Sequence, residues 1–200
     1  MTPADQGTPL VPSAAAEVLL AFVNTRPLDG HAERLADGGT TLDWLRETEP
    51  AAAGPTALVT DADAAAAREL REALVGILLA HAGEPGGTAE PEARLRHSAE
   101  QFPVLAVVSA DGVRLVPVRT GLAGVLAGVL AAASELALAG LWPRLKACRN
   151  CRWGFYDRTR NLSATYCDPR RCGARVAMRS YRARNAAVIT QGSTEHTTST

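Results

Sequence analysis

Aromatic side chains are scarce in this chain: three Trp, three Tyr and three Phe among 200 residues. A core must therefore come from alanine, leucine and valine, which favours closely packed helices over a sheet-rich fold. Histidine is equally sparse. His31, His81, His97 and His196 are scattered, with no second His and no Cys at ligand spacing. A glycine-rich phosphate loop, a serine nucleophile elbow and an HExxH run are all missing, so no enzyme is expected. The opening MTPADQGTPL has no basic run followed by an apolar core, so no secretory leader is expected. One stretch, Leu122 to Trp142, is nearly free of charge. Ser134, Glu135 and its many small residues mark it as a buried core helix rather than a membrane span, with Gly124 and Gly128 allowing close helix contact. A cytoplasmic protein without a membrane partner is expected. Cysteine is absent until Cys148.

What is present is a strong polarity of charge hidden under a net charge of zero. Residues 1–140 hold nine Lys+Arg against eighteen Asp+Glu, whereas residues 141–185 hold twelve Lys+Arg against only Asp157 and Asp168. Clustered cations of this kind fit a polyanion partner through counterion release. The alternative is a basic face docked on the chain's own acidic half.

The helical signals are local and frequent. Ser13 can cap a helix to about Asn24, with Val18, Leu19, Phe22 and Val23 as its stripe and Pro27 as its stop. Thr40 and Asp43 have capping-box spacing before a short helix carrying Leu42, Trp44 and Leu45, ended by Pro50. Thr60 and Asp63 repeat that spacing before a long helix to about His81, with Ala67, Leu70, Leu74, Ile77 and Leu78 on one face. A short helix over 91–99 follows. The β-branched runs Val104 to Ser109 and Val113 to Val118, joined through Asp111-Gly112, predict a hairpin, and a long helix then spans about 121–141. The fold class is α+β: a mainly helical N-terminal domain with one β-hairpin over 13–142, then a small four-cysteine zinc-ribbon-like module with a basic C-terminal helix over 143–185. Residues 1–12 and 186–200 are expected to be disordered.

All four cysteines lie in the pattern Cys148-x2-Cys151, fifteen residues, Cys167-x4-Cys172. Two close pairs brought together by a short excursion supply a tetrahedral thiolate set. One structural zinc ion per chain is expected, with Cys148, Cys151, Cys167 and Cys172 as ligands. Four thiolates leave no open position, which speaks against zinc catalysis. A Cys-x-x-Cys redox pair would not explain the second pair, and an iron–sulfur cluster could use the same ligands. Trp153 and Phe155 are read as the module's small core, with Tyr156 undecided.

Residues 173–185 read as a helix with Arg175, Arg179 and Arg182 on one face, Arg170 and Arg171 ahead of it and Arg184 extending it. Val176, Met178 and Tyr181 are left to pack on the zinc core or a partner. Among the module's twelve basic residues only Lys146 is a lysine, and arginine's planar fork suits phosphates and guanine edges. DNA is the expected partner. RNA, stacked on Trp153, Phe155 or Tyr156, and a protein-docking role are the alternatives. A homodimer would let symmetric sites add affinity. In the N-terminal half, Asn24, Thr25 and Arg26 form the distinctive polar cluster, read either as caps for helix carbonyls or as the lining of a ligand pocket.

The segment CRNCRWGFYDRTRNLSATYCDPRRCGARVAMRSYRAR resembles the CGNR zinc-finger family. The likeness lies in the Cys pair, Trp153 and Phe155, the Asp157-x-Thr159-x-Asn161 turn, Tyr166-Cys167, and Cys172-Gly173-Ala174-Arg175 leading into a basic helix. Ala174 stands where the family has its eponymous asparagine, and the first pair is spaced by two residues where many relatives have four. Upstream, Phe22-Val23-Asn24-Thr25-Arg26, Thr41-Leu42-Asp43-Trp44-Leu45 and the Arg68 to Leu79 helix resemble the ABATE domain of stress-induced transcription regulators. The resemblance covers about residues 15–185 and implies a bacterial DNA-binding regulator.

Overall fold

The computed structural model describes residues 11–194 apart from 29, 31, 50, 55 and 56, with backbone alone over 186–194. His31, His196 and the expected helix stop at Pro50 lie outside the described residues, as do residues 1–10 and 195–200 of the two expected tails.

Helix α1 (Ala14–Val23) starts where Ser13 Oγ accepts from the Ala16 amide, and buries Ala16, Leu19, Phe22 and Val23. Helix α2 (Gly38–Thr48) begins three residues earlier than the capping-box spacing of Thr40 and Asp43 predicts. Its box is Asp37 with Thr40, whose amide donates to Asp37 Oδ1 at 2.8 Å. Two glycines in a first turn argue against helix by propensity, but packing requires the first of them. A Cβ on Gly38 would lie 2.2 Å from the Val59 carbonyl oxygen. Helix α3 (Asp61–His81) carries the predicted Thr60–Asp63 box and buries Ala67, Leu70, Leu74, Ile77 and Leu78. Helix α4 (Ala89–Gln101) packs along it.

Strands β1 (Val104–Ser109) and β2 (Gly112–Pro117) form the antiparallel hairpin, with Ser109 opposite Gly112. The two-residue loop is thus Ala110-Asp111, one position before the predicted turn, and Gly112 closes it at φ +129°. Helix α5 (Gly121–Leu138) is the one described helix long and apolar enough to cross a membrane. Its Leu122, Leu126, Val129 and Leu136 belong to the core.

After a 3₁₀ turn over Trp142–Arg144 comes a second hairpin, β3 (Leu145–Ala147) with β4 (Gly154–Tyr156), pairing Leu145 with Tyr156 and Ala147 with Gly154. Trp153 and Phe155, read from the sequence as the module's small core, are both half-buried and lie outside the main hydrophobic cluster. Leu145, Ala147 and Tyr156 join Leu19, Leu74 and Leu78 in that single cluster. Packing therefore runs without a gap across the expected boundary at residue 142.

A π-turn over Pro169–Gly173 leads into α6 (Ala174–Thr194). The tail expected to be disordered from residue 186 is helical to Thr194. The residues after Asn185 begin Ala-Ala-Val-Ile and contain no glycine before Gly192, so the helix has no chemical reason to stop at Asn185. Met178 and Tyr181, expected to pack, are 52% and 56% exposed, while Val176 is half-buried.

Candidate metal centre and its basic surround

Two local structures place the cysteines. Cys148 follows β3 directly, and its amide donates to the Trp153 carbonyl at 2.9 Å while its own carbonyl accepts from the Arg152 amide at 2.8 Å. That tight knuckle needs a left-handed residue after the second cysteine, and Arg152 takes it at φ +67°. Cys167 precedes the π-turn and Cys172 sits within it, where Asp168 caps by accepting from the Arg170 and Arg171 amides.

The four Sγ atoms lie within 4.8 Å of one another, with Cys151–Cys167 at 3.6 Å and Cys167–Cys172 at 3.8 Å. A tetrahedron with zinc–sulfur bonds of about 2.3 Å has edges of about 3.8 Å, so the donor set fits zinc. The thiol electrostatics agree. Burial raises the Cys148 thiol, but amides of Cys151, Cys167 and Asn150 outweigh it and bring the net shift down. Burial pushes Cys151 up to about 11, and burial with the neighbouring sulfurs pushes Cys167 up further. Thiols crowded this way resist ionising together unless a cation takes their charge.

The loop joining the cysteine pairs is built on a buried ion pair. Lys146 Nζ lies 2.7 Å from Asp157 Oδ2, with both side chains almost wholly buried. Asp157 also accepts from the Thr159 amide (2.8 Å), the Thr159 hydroxyl (2.6 Å) and the Ala164 amide (3.0 Å). Burial alone would raise its pKa, but Lys146 and these donors hold the carboxyl below its ordinary range. Lys146 further donates to the carbonyls of Leu162 and Ala164, and Arg144 donates to those of Asp157 and Thr159. Charge counting on the sequence placed Arg144 and Lys146 among cations available to a partner; the fold uses both internally.

A second set of contacts docks the module onto the helices. The Asn24 side chain clamps Gly154, donating to its carbonyl at 3.0 Å and accepting from its amide at 2.7 Å. A Cβ on Gly154 would lie 2.5 Å from Val23 Cγ2. Glu84 pairs with Arg149 at 3.0 Å and Arg152 at 3.4 Å, so two more module arginines face the acidic half. Of the polar cluster read from the sequence, Asn24 is the C-cap of α1, its amide donating to the Leu20 carbonyl at 3.1 Å, and the Thr25 hydroxyl donates to the Phe22 carbonyl at 2.8 Å. Arg26 pairs with Glu72 at 3.3 Å. Behind them Arg71, 3% exposed, grips Glu33 through two bonds of 2.5 and 2.8 Å. Neither Asn24's reach to Gly154 nor the Arg71–Glu33 pair has a signature in residue spacing, because each joins segments far apart in the chain.

The arginines expected to meet DNA are all exposed: Arg170, Arg171, Arg175, Arg179, Arg182 and Arg184. Arg179 also donates to the Asn150 side chain in the first cysteine knuckle, which ties α6 to the metal centre. Arg158 and Arg160, exposed on the Asp157 loop, were missed by a reading centred on the helix. Alternating basic residues beside the Asp157-x-Thr159 turn were the available signal.

A helical domain carrying a compact four-thiol centre defines a zinc-finger protein. More particularly, the chain belongs to the ABATE family, described as "Putative stress-induced transcription regulator", which matches residues 16–140, and its C-terminal part matches the CGNR zinc finger over residues 144–185. Comparison with curated proteins gives no match.

Proposed function

We propose that the chain is a cytoplasmic, non-catalytic transcription regulator that holds one structural zinc ion per chain and binds DNA through α6. The observation that carries this reading is the exposed arginine face of Arg175, Arg179 and Arg182 on a helix anchored at its start by the thiol centre. Arg170 and Arg171 then hold phosphate at the groove edge, and the helix start presents guanidinium forks to bases. Arg158 and Arg160 extend the phosphate contact. Dimerisation would supply the second half-site that a single reading helix needs.

RNA has one observation in its favour. Trp153, half-buried, lines with Arg171 and Arg175 the same space that Cys151, Cys167 and Cys172 bound, and an aromatic ring with two guanidiniums beside the metal centre is able to stack on an unpaired base. Selection from random DNA by the zinc-loaded chain, with competitor RNA present at physiological salt, separates the two. Enrichment of a defined duplex site that disappears on chelation supports the DNA reading, and an inverted repeat supports a dimer. Recovery of RNA alone would replace DNA by RNA, and no recovery of either would leave protein docking as the role of the basic face.

A further inference from the structure

We propose that the open cleft between α3, α4, α5 and β1 binds a small amphipathic carboxylate, with Arg96 taking the carboxylate group. Its volume is about 420 Å³, within the range of about 300–1,000 Å³ usual for small-molecule sites. Leu74, fully buried, forms the floor, and Leu95, Phe102, Leu130 and Trp142 form the walls. The space exists because three lining positions, Ala99, Ala133 and Ala137, project only a methyl group. Leucine at any of them would narrow it.

Arg96 supplies the only charge in the lining. It is exposed at the mouth and has no ion pair or hydrogen bond among the described residues, although its neighbour Arg94 pairs with Glu90 and His97 faces Glu100. The other polar lining group, the Ser134 hydroxyl, already donates to the Leu130 carbonyl at 2.9 Å. An apolar chamber with one unpaired guanidinium selects an apolar body with one anionic end. The exposed guanidinium offers the anionic end a charge-assisted bond, whereas an amine would be repelled.

The cavity wall also touches the zinc module. Trp142 meets His81 edge to face, with ring centroids 5.4 Å apart, and His81 Nδ1–H donates to the Leu145 carbonyl of β3 at 2.8 Å. Any effect of the ligand on DNA affinity rests on the function proposed above; binding of the ligand does not.

Isothermal titration of the zinc-loaded full chain with decanoate, decanol and decylamine tests the site. Saturable single-site binding of decanoate is expected, with decanol at least tenfold weaker and decylamine weaker still. Arg96→Gln, a surface change that leaves the fold intact, should bring decanoate down to the decanol level. Ala133→Phe should abolish binding of both while the circular dichroism spectrum stays unchanged. Absence of saturable decanoate binding, equal affinity for decanoate and decanol, or full decanoate affinity in Arg96→Gln would each overturn the proposal. None of these readouts involves nucleic acid, so failure here and failure of the DNA reading are separate events.

Discussion

At the scale of single residues, the contacts that join the two halves of the chain are the most sensitive to change. Gly154 has no room for a side chain, because Val23 Cγ2 would stand 2.5 Å from a new Cβ and Asn24 Oδ1 3.3 Å away. Gly154→Ala should therefore cost about 1–3 kcal/mol, the usual size of an overpacking penalty. Urea unfolding measures it, and Val23→Ala in the same chain should return part of the loss, since it removes the clashing methyl. A full additive loss in the double variant would place the strain elsewhere. Asp157→Ala acts differently. It strips the buried Lys146 ammonium of its only anionic partner among the described residues and leaves it with carbonyls. Breaking a buried pair from one side costs about 3–5 kcal/mol. The same change frees the Thr159 and Ala164 amides that shape the loop before Cys167, so zinc should also be lost more readily to a chromogenic chelator.

At the scale of elements, what could be read in advance divides by the range of the interaction. Ser13, Thr60 with Asp63, and the helical spacing of Leu70, Leu74 and Leu78 are local signals, and they mark α1 and α3 correctly because capping and amphipathicity act within a few residues. The cysteine spacing is likewise short-range, and the structure brings the four sulfurs together. Where a distant segment decides, the sequence is silent. Gly38 opens α2 because Val59 lies against it, and Tyr156 turns inward because α1 and α3 supply a core for β4 to share. The C-terminal helix has the opposite character: its main packing partner is the π-turn before it, and residues 177–185 are exposed throughout. That freedom is what a groove-reading helix requires. Arg175→Gln with Arg179→Gln should weaken DNA binding sharply and relax base preference, whereas Arg170→Gln with Arg171→Gln should weaken binding to all sequences alike and lower the salt slope by about 2. Fluorescence anisotropy across a salt series checks both. Unchanged affinity and preference in the first double variant would remove α6 from the interface.

At the scale of the whole molecule, one hydrophobic cluster and two titrating features set stability. His81 lies half-buried between Trp142 and β3, and burial first, then the nearby Lys146 charge, lowers its pKa despite the bond to Leu145. The unfolded chain thus binds a proton more readily than the folded one. Stability from this group is complete above the unfolded pKa of about 6.5 and declines as pH falls toward the lowered folded value. His81→Asn keeps a donor for Leu145 but cannot be protonated, so the loss of Tm between about pH 7 and pH 5.5 should be smaller in the variant than in the parent. Acid also protonates the zinc thiolates, and the comparison cancels that shared effect.

The continuity of the core decides how the molecule responds to losing its metal. Were the finger a separate bead, chelation would melt it alone and leave the helical domain with an unchanged transition. Leu145, Ala147 and Tyr156 instead sit in the same cluster as α1, α3 and α5, and Asn24 and Glu84 bind the module from the other side. Zinc is also worth much of the module's folding free energy, about 10–16 kcal/mol in isolated finger peptides. Removing it should expose the faces of Leu74 and Leu78 that β3 covers, and so lower the Tm of the entire chain. Scanning calorimetry of zinc-loaded and chelated protein makes the distinction. A single transition shifted downward is expected; two transitions, with the upper one unmoved by chelation, would show that the hairpin's place in the core contributes little to holding the helices together.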